Sequence, residues 1–169
     1  MGRIKLRAHH RLCISFFEGK GYDDNFTGNM RAVITALDRN PEIIIVACED
    51  MICKACPNNK NGICDCIKMV DGYDKAVMRL CNINSGDILS WAAYKTLVSK
   101  NILETGKISA ICGDCQWSDI CLKKQIGYRN STDISPKRST SVSPLLFITT
   151  RQPASSIAVA FALQTTPFL

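Results

Sequence analysis

Ten cysteines stand in a chain of 169 residues, and they are grouped. Cys53-Lys54-Ala55-Cys56-Pro57 is followed by Cys64 and Cys66, and Cys112-Gly113-Asp114-Cys115-Gln116-Trp117 by Cys121. Each group opens on C-x2-C. Two intervening residues bend the chain back so that two thiolates grip one metal from a tight turn, and each group adds a third cysteine six to eight residues on. Repeated at this spacing, cysteines read as metal or cluster ligands rather than as the single buried thiols common in protein cores.

Zinc and iron–sulfur clusters both take four thiolates, sometimes with histidine in place of one. Each segment supplies three well-placed cysteines, and the N-terminus can complete them. His9-His10-Arg11-Leu12-Cys13 sets His9 and Cys13 four apart, on one face if the stretch is helical. One complete site with auxiliary ligands, or two sites, are both open. Cys48, Cys66 and Cys81 read as non-ligands. Cys48 ends an apolar strand and Cys81 follows Leu80 on a helical stripe, so both read as small core residues; Cys66 could substitute for Cys64, but two thiolates one residue apart point oppositely in an extended chain. Glu49 and Asp50 read as solvated or turn-capping, Trp117 as a shield against water, and Arg3, Lys5, Arg7 and Arg11 as a solvated basic run.

These groups need a scaffold. Ile4–Ala8 alternates and reads as a strand; Ile43–Val46 is β-branched and reads as a second. His10–Phe17 reads as a short helix stopped by Gly19 and Gly21. Phe26, Met30, Val33, Ile34 and Leu37 recur at helical spacing behind a cap at Asp23 or Asp24. A stripe of Ile67, Val70, Tyr73, Val77 and Leu80, capped by Asp65, predicts another helix. A further one runs from Ser85 or Asp87 to about Lys100, with Ile88, Leu89, Ala92, Ala93 and Leu97 inward. The expected fold is α+β, mostly helical, with a short two-stranded sheet and cysteine-rich metal-binding loops.

Composition changes near residue 130. Residues 131–169 hold one acid, 13 Ser or Thr and four of the six prolines, with no sustained apolar period. They read as a poorly ordered or non-native extension to a metal-binding domain of residues 1–130. The longest apolar stretch, Ile157 to Leu163, is too short to span a bilayer. The net charge of +6 carries no clustered basic–aromatic face, so nucleic-acid binding has no signal. A charged N-terminus without an apolar leader points to the cytoplasm, where cysteine clusters bind metal or do redox work before they form disulfides. Walker, nucleophile-elbow, dinucleotide and H-E-x-x-H motifs are all missing.

The order of four motifs is specific: Leu6-Arg-Ala-His-His10-x-x-Cys13, Gly19-Lys-Gly-Tyr22, Cys53-x-x-Cys56-Pro57 and Cys112-Gly-Asp-Cys115-x-Trp117. Together, over Arg3 to Cys121, they resemble a bacterial and archaeal domain-of-unknown-function family of about 130 residues, commonly labelled predicted iron–sulfur-binding proteins. The resemblance implies that Cys13, Cys53, Cys56, Cys64, Cys112, Cys115 and Cys121 are the family cysteines, with His9 and His10 alongside. The expected function is a cytoplasmic [4Fe–4S] protein for electron transfer or redox sensing, with a redox partner protein. Two other readings stand beside it: a zinc-stabilised binding module, and a metal-dependent enzyme using an open ligand position near His9 and His10.

Overall fold

A computed structural model describes residues 2–132, with side chains within 2–127. The alternating Ile4–Arg7 forms β1, which buries Leu6 and Arg7. His10–Phe16 forms α1 and ends where Phe17 turns extended. Asp24–Leu37 forms α2; the Asp23 carboxylate caps it, accepting from the Phe26 N–H at 2.7 Å. Phe26, Met30, Val33 and Leu37 recur every three or four residues and are buried together.

Glu42–Val46 forms β2, the centre of a three-stranded sheet. On one side β1 runs parallel to it, with Ile4 opposite Ile43 and Leu6 opposite Ile45. On the other lies the antiparallel β5 (Ile88–Ser90), with Leu89 opposite Ile43. The two-stranded sheet expected from the sequence thus gains a strand from residues expected to begin a helix. That helix, α4 (Trp91–Val98), starts later, with the Ser90 hydroxyl accepting from the Ala93 N–H at 3.2 Å. The later start turns its buried face to Trp91, Tyr94 and Val98, leaving Ala92 and Ala93 exposed. The chain continues through a wider π turn, Ser99–Leu103, which buries Ile102 and Leu103. The Tyr94 hydroxyl donates to the Ala8 carbonyl at 2.7 Å and fixes α4 to the end of β1.

The segments that carry cysteines lie between the sheet strands and after the last of them. Asn59–Lys60 (β3) and Ile63–Cys64 (β4) make a separate two-stranded ribbon. Its two-residue turn is Asn61-Gly62, both at positive φ (54° and 88°), the combination that a tight hairpin requires. Ile67–Cys81 forms α3, with Cys66 rather than Asp65 at its cap position and no side-chain cap bond. Its buried face is Tyr73, Asp74, Val77 and Cys81, whereas Ile67 and Met69 at its start are exposed. Ile108–Cys112 (α5) and Ser118–Thr132 (α6) complete the described chain. The expected boundary at 130 falls in the last turn of α6, and the rest of the expected extension lies outside the described residues. No helix among the described residues is long and apolar enough to cross a membrane.

Candidate metal centre

One cavity of about 290 Å³ gathers eight of the ten cysteines and both histidines. Cys13, Cys53, Cys56, Cys64, Cys66, Cys112, Cys115 and Cys121 line it with His9 and His10, among apolar walls that include Phe16, Phe26, Met30 and Trp117. All seven cysteines expected as ligands are therefore brought together. Cys81 is buried in the core, as expected, and burial raises its thiol to about 11. Cys48 is exposed rather than a core residue, because it lies beyond the last residue of β2. Cys66 also departs from expectation by lining the cavity. At the start of α3 its backbone has left the extended conformation (φ −98°, ψ 27°), so it does not alternate with Cys64.

Within the cavity the thiols form two neighbouring groups, which meet where Cys66 comes close enough to Cys115 to raise it. Cys13 comes from α1, Cys112 ends α5, Cys115 sits in the following turn and Cys121 lies in α6. Burial, then the proximity of Cys112, Cys121 and Cys115, holds the Cys13 thiol well above its ordinary range. Burial, reinforced by Cys115 and Cys121, lifts Cys112 to about 12. The turn is tight: the Cys115 N–H donates to the Cys112 carbonyl at 3.1 Å and the Ser118 N–H to that of Cys115 at 2.9 Å. Gly113 is required by contact, since a Cβ there would clash with the Ser109 carbonyl oxygen. The Trp117 N–H points at Cys115 Sγ from 3.5 Å, and the Tyr73 hydroxyl donates to Asp114 at 2.6 Å, pinning the turn to α3. Lys124 joins α6 to the end of α1 through the Phe16 carbonyl (3.2 Å) and Glu18 (3.0 Å).

The first C-x2-C has the same turn, with the Cys56 N–H on the Cys53 carbonyl at 3.0 Å, but its thiols part. Cys56 is raised by burial and by Cys64 and Cys66, which the ribbon and the start of α3 bring to it. Cys53 instead joins His10 and Asp50, with ligand atoms all within 4.8 Å of one another. Burial and the neighbouring Asp50 lift its thiol to about 12.

Two buried carboxylates organise the N-terminal side. Asp74 Oδ2 accepts from Arg7 Nε at 2.8 Å and stands in ion-pair contact with Nη2 at 2.6 Å; Oδ1 takes the His9 N–H at 2.9 Å and His9 Nδ1 at 2.7 Å. Asp50 Oδ2 takes the Arg7 N–H at 2.7 Å and His10 Nδ1 at 2.6 Å; Oδ1 takes the Ile52 and Cys53 N–H groups, each at 2.9 Å. Burial works against the charge of both acids. It is outweighed at Asp50 by His10 and at Asp74 by His9, so both stay below the usual carboxylate range. Burial and the adjacent His10 lower His9 to about 4, so at neutral pH its ring is neutral and donates Nδ1–H to Asp74. Arg7 and Arg11 are buried, against the expectation of a solvated basic run. Asp50 does cap a turn, but buried rather than solvated.

Asp74 escaped the sequence reading because it lies inside a helix with no motif around it. Its signal was position, an acid one residue after Tyr73 and three before Val77, hence on the inward face. Fold and cavity define a cysteine-rich α+β domain whose thiols and histidines permit metal binding. The chain belongs to the family described as a protein of unknown function, DUF1284, whose model matches residues 21–121. That segment holds Cys53 through Cys121; His9, His10 and Cys13 precede it. No curated protein and no solved structure matches the chain.

Proposed function

We propose that the chain is an iron–sulfur protein of the cytoplasm, with Cys13, Cys112, Cys115 and Cys121 holding a [4Fe–4S] cluster for electron transfer to a partner protein or for redox sensing. The observation that carries the reading is the convergence of these four thiols, from α1, α5, the following turn and α6, on one apolar-walled cavity. Four thiolates are the complement that such a cluster takes. Among the described residues, only His10, Asp50 and Cys53 bring three ligand atoms within 4.8 Å of one another. A tetrahedral zinc ion would need its thiolates about 3.8 Å apart, so the wider spread of the four sulfurs favours a body of several metal atoms. A bound cluster supplies a one-electron couple. The chain's own groups set its surroundings: the Trp117 N–H aimed at Cys115 Sγ, the Trp117 ring packed edge-on to Tyr22, and Phe16 excluding water. Cys56, Cys64 and Cys66 are auxiliary thiols of the same cavity. All ten cysteines are free, in keeping with a reducing compartment.

Anaerobic purification followed by iron, zinc and acid-labile sulfide analysis and a visible spectrum tests the reading. The expected result is brown protein with about equal iron and sulfide, bleached by dithionite. Colourless protein with stoichiometric zinc would replace the reading with a zinc-stabilised binding module.

A further inference from the structure

Asp50 and Asp74 are both buried acids that hold a histidine, yet only one of them stands with a thiol. At Asp74 the set is closed. The Arg7 guanidinium is its ion-pair partner, His9 takes the other oxygen, and among the described residues no cysteine completes three ligand atoms with them. Asp50 takes the Arg7 backbone N–H rather than the guanidinium; its side chain is 0% exposed and its ion-pair partner is His10. A carboxylate offers about four lone-pair sites. Three of them take the Arg7, Ile52 and Cys53 N–H groups, and the fourth is turned to His10 Nδ1 at 2.6 Å. The ligand atoms of His10, Asp50 and Cys53 all lie within 4.8 Å of one another, brought there by the start of α1 and the turn that Asp50 caps. Nitrogen, oxygen and sulfur donors around a tetrahedral zinc stand about 3.3–3.6 Å apart. Side-chain shifts of about 1 Å therefore close the set on an ion.

We propose that His10, Asp50 and Cys53 form a mononuclear site for a divalent transition metal, sharing no residue with the four-thiolate set. Imidazole, carboxylate and thiolate together suit zinc or iron(II). The charges balance: Cys53 releases its thiol proton on loading, and the thiolate and the Asp50 carboxylate supply the two negative charges that a divalent ion needs. The three backbone N–H groups keep the carboxylate oriented toward the ion. His10 and Cys53 line the cavity, so the fourth position opens on it and takes water or a small substrate, as in catalytic rather than structural metal sites. The site stands whether or not the four thiols hold a cluster.

Cobalt(II) is the probe. The anaerobically purified full chain is dialysed against a chelator that spares clusters and is then titrated with Co²⁺. The expected result is a Co²⁺ ion with a thiolate-to-cobalt charge-transfer band and, by cobalt-edge X-ray absorption, one sulfur among nitrogen and oxygen neighbours. C53S removes the band; H10Q and D50N each weaken binding at least about tenfold. C56S and C115S leave the band in place, while C115S lowers iron and sulfide, so failure of the cluster reading and of this one are told apart. Far-UV circular dichroism confirms the fold of each variant, and H10Q carries the test if D50N does not fold. The proposal is overturned if the wild type gives no thiolate band, if the band survives C53S or H10Q at wild-type affinity, or if cobalt sits in an all-sulfur shell that C56S or C115S removes.

Discussion

The two C-x2-C segments share a turn and differ in what surrounds it. In both, the second cysteine's N–H closes on the first one's carbonyl, at 3.0 Å for Cys53–Cys56 and 3.1 Å for Cys112–Cys115. Around the second turn, helices on both sides and Cys13 from α1 keep the two thiols in one company. Around the first, Asp50 takes the Cys53 N–H and draws that thiol toward His10, while the hairpin carries Cys64 to Cys56. Spacing determines the turn; the groups packed against the turn determine which ligands act together.

The largest effect should come from the foundation of the first turn. Asp74 pairs with Arg7 in a site where both side chains are almost fully excluded from solvent (0% and 2% exposed). Asp74→Ala leaves the guanidinium buried without its partner, a loss of about 3–5 kcal/mol, and removes the acceptor for His9. Urea unfolding of the purified chain measures it. A loss under about 1 kcal/mol would mean that the pair is solvated and that the first turn has no rigid base.

Next comes the difference between the turns themselves. On the proposed reading Cys115→Ser takes away one of four cluster thiolates and should remove nearly all iron and sulfide. Cys56→Ser should leave most of it. Equal losses in the two variants would show that both turns serve one site.

That comparison also separates what could be read in the sequence from what could not. The cysteines to watch, the α2 stripe, β1 and β2 were all legible, because each is a local pattern of spacing or period. Residues 88–90 were not: Ile-Leu-Ser is too short to show a period, and only β2 offers it a ladder. The hairpin has its signal in Asn61-Gly62, a pair that takes the positive φ angles of a tight turn. The turn cap at Asp50 is local and was legible, but its hold on Arg7 and His10, like that of Asp74 on Arg7 and His9, spans 40 or more positions and was out of reach. The place of Cys66 was not legible, because the turn into α3 that takes it out of the extended run of Cys64 has no side-chain cap to signal it.

A smaller effect, common to both turns, sharpens the comparison through pH. Burial raises Cys53 and Cys112 from an ordinary value near 9 to about 12, so the fold favours the neutral thiols. Their contribution to the metal-free chain is full below pH 9 and is lost as pH rises toward 12. Metal binding needs the thiolates and releases those protons, so affinity falls as pH falls. The metal-free chain should therefore lose thermal stability between pH 9 and 12, and the loaded chain should lose metal in acid. Differential scanning fluorimetry and metal analysis across pH measure both. A flat alkaline profile for the metal-free chain would show that these thiols are solvated.

The smallest effect is expected from the two cysteines that belong to neither turn. Cys48 is exposed beyond the end of β2, and Cys81 is 3% exposed on the core side of α3; neither lines the cavity. Cys48→Ser should be silent. Cys81→Ser places a hydroxyl among apolar neighbours and should cost about 1–3 kcal/mol without touching metal content. The double variant thus separates stability from ligation: Tm falls while iron, zinc and sulfide per chain stay at the wild-type value. Loss of metal in that variant would extend the ligand set outside the cavity, and the division of thiols between the two turns would no longer account for the site.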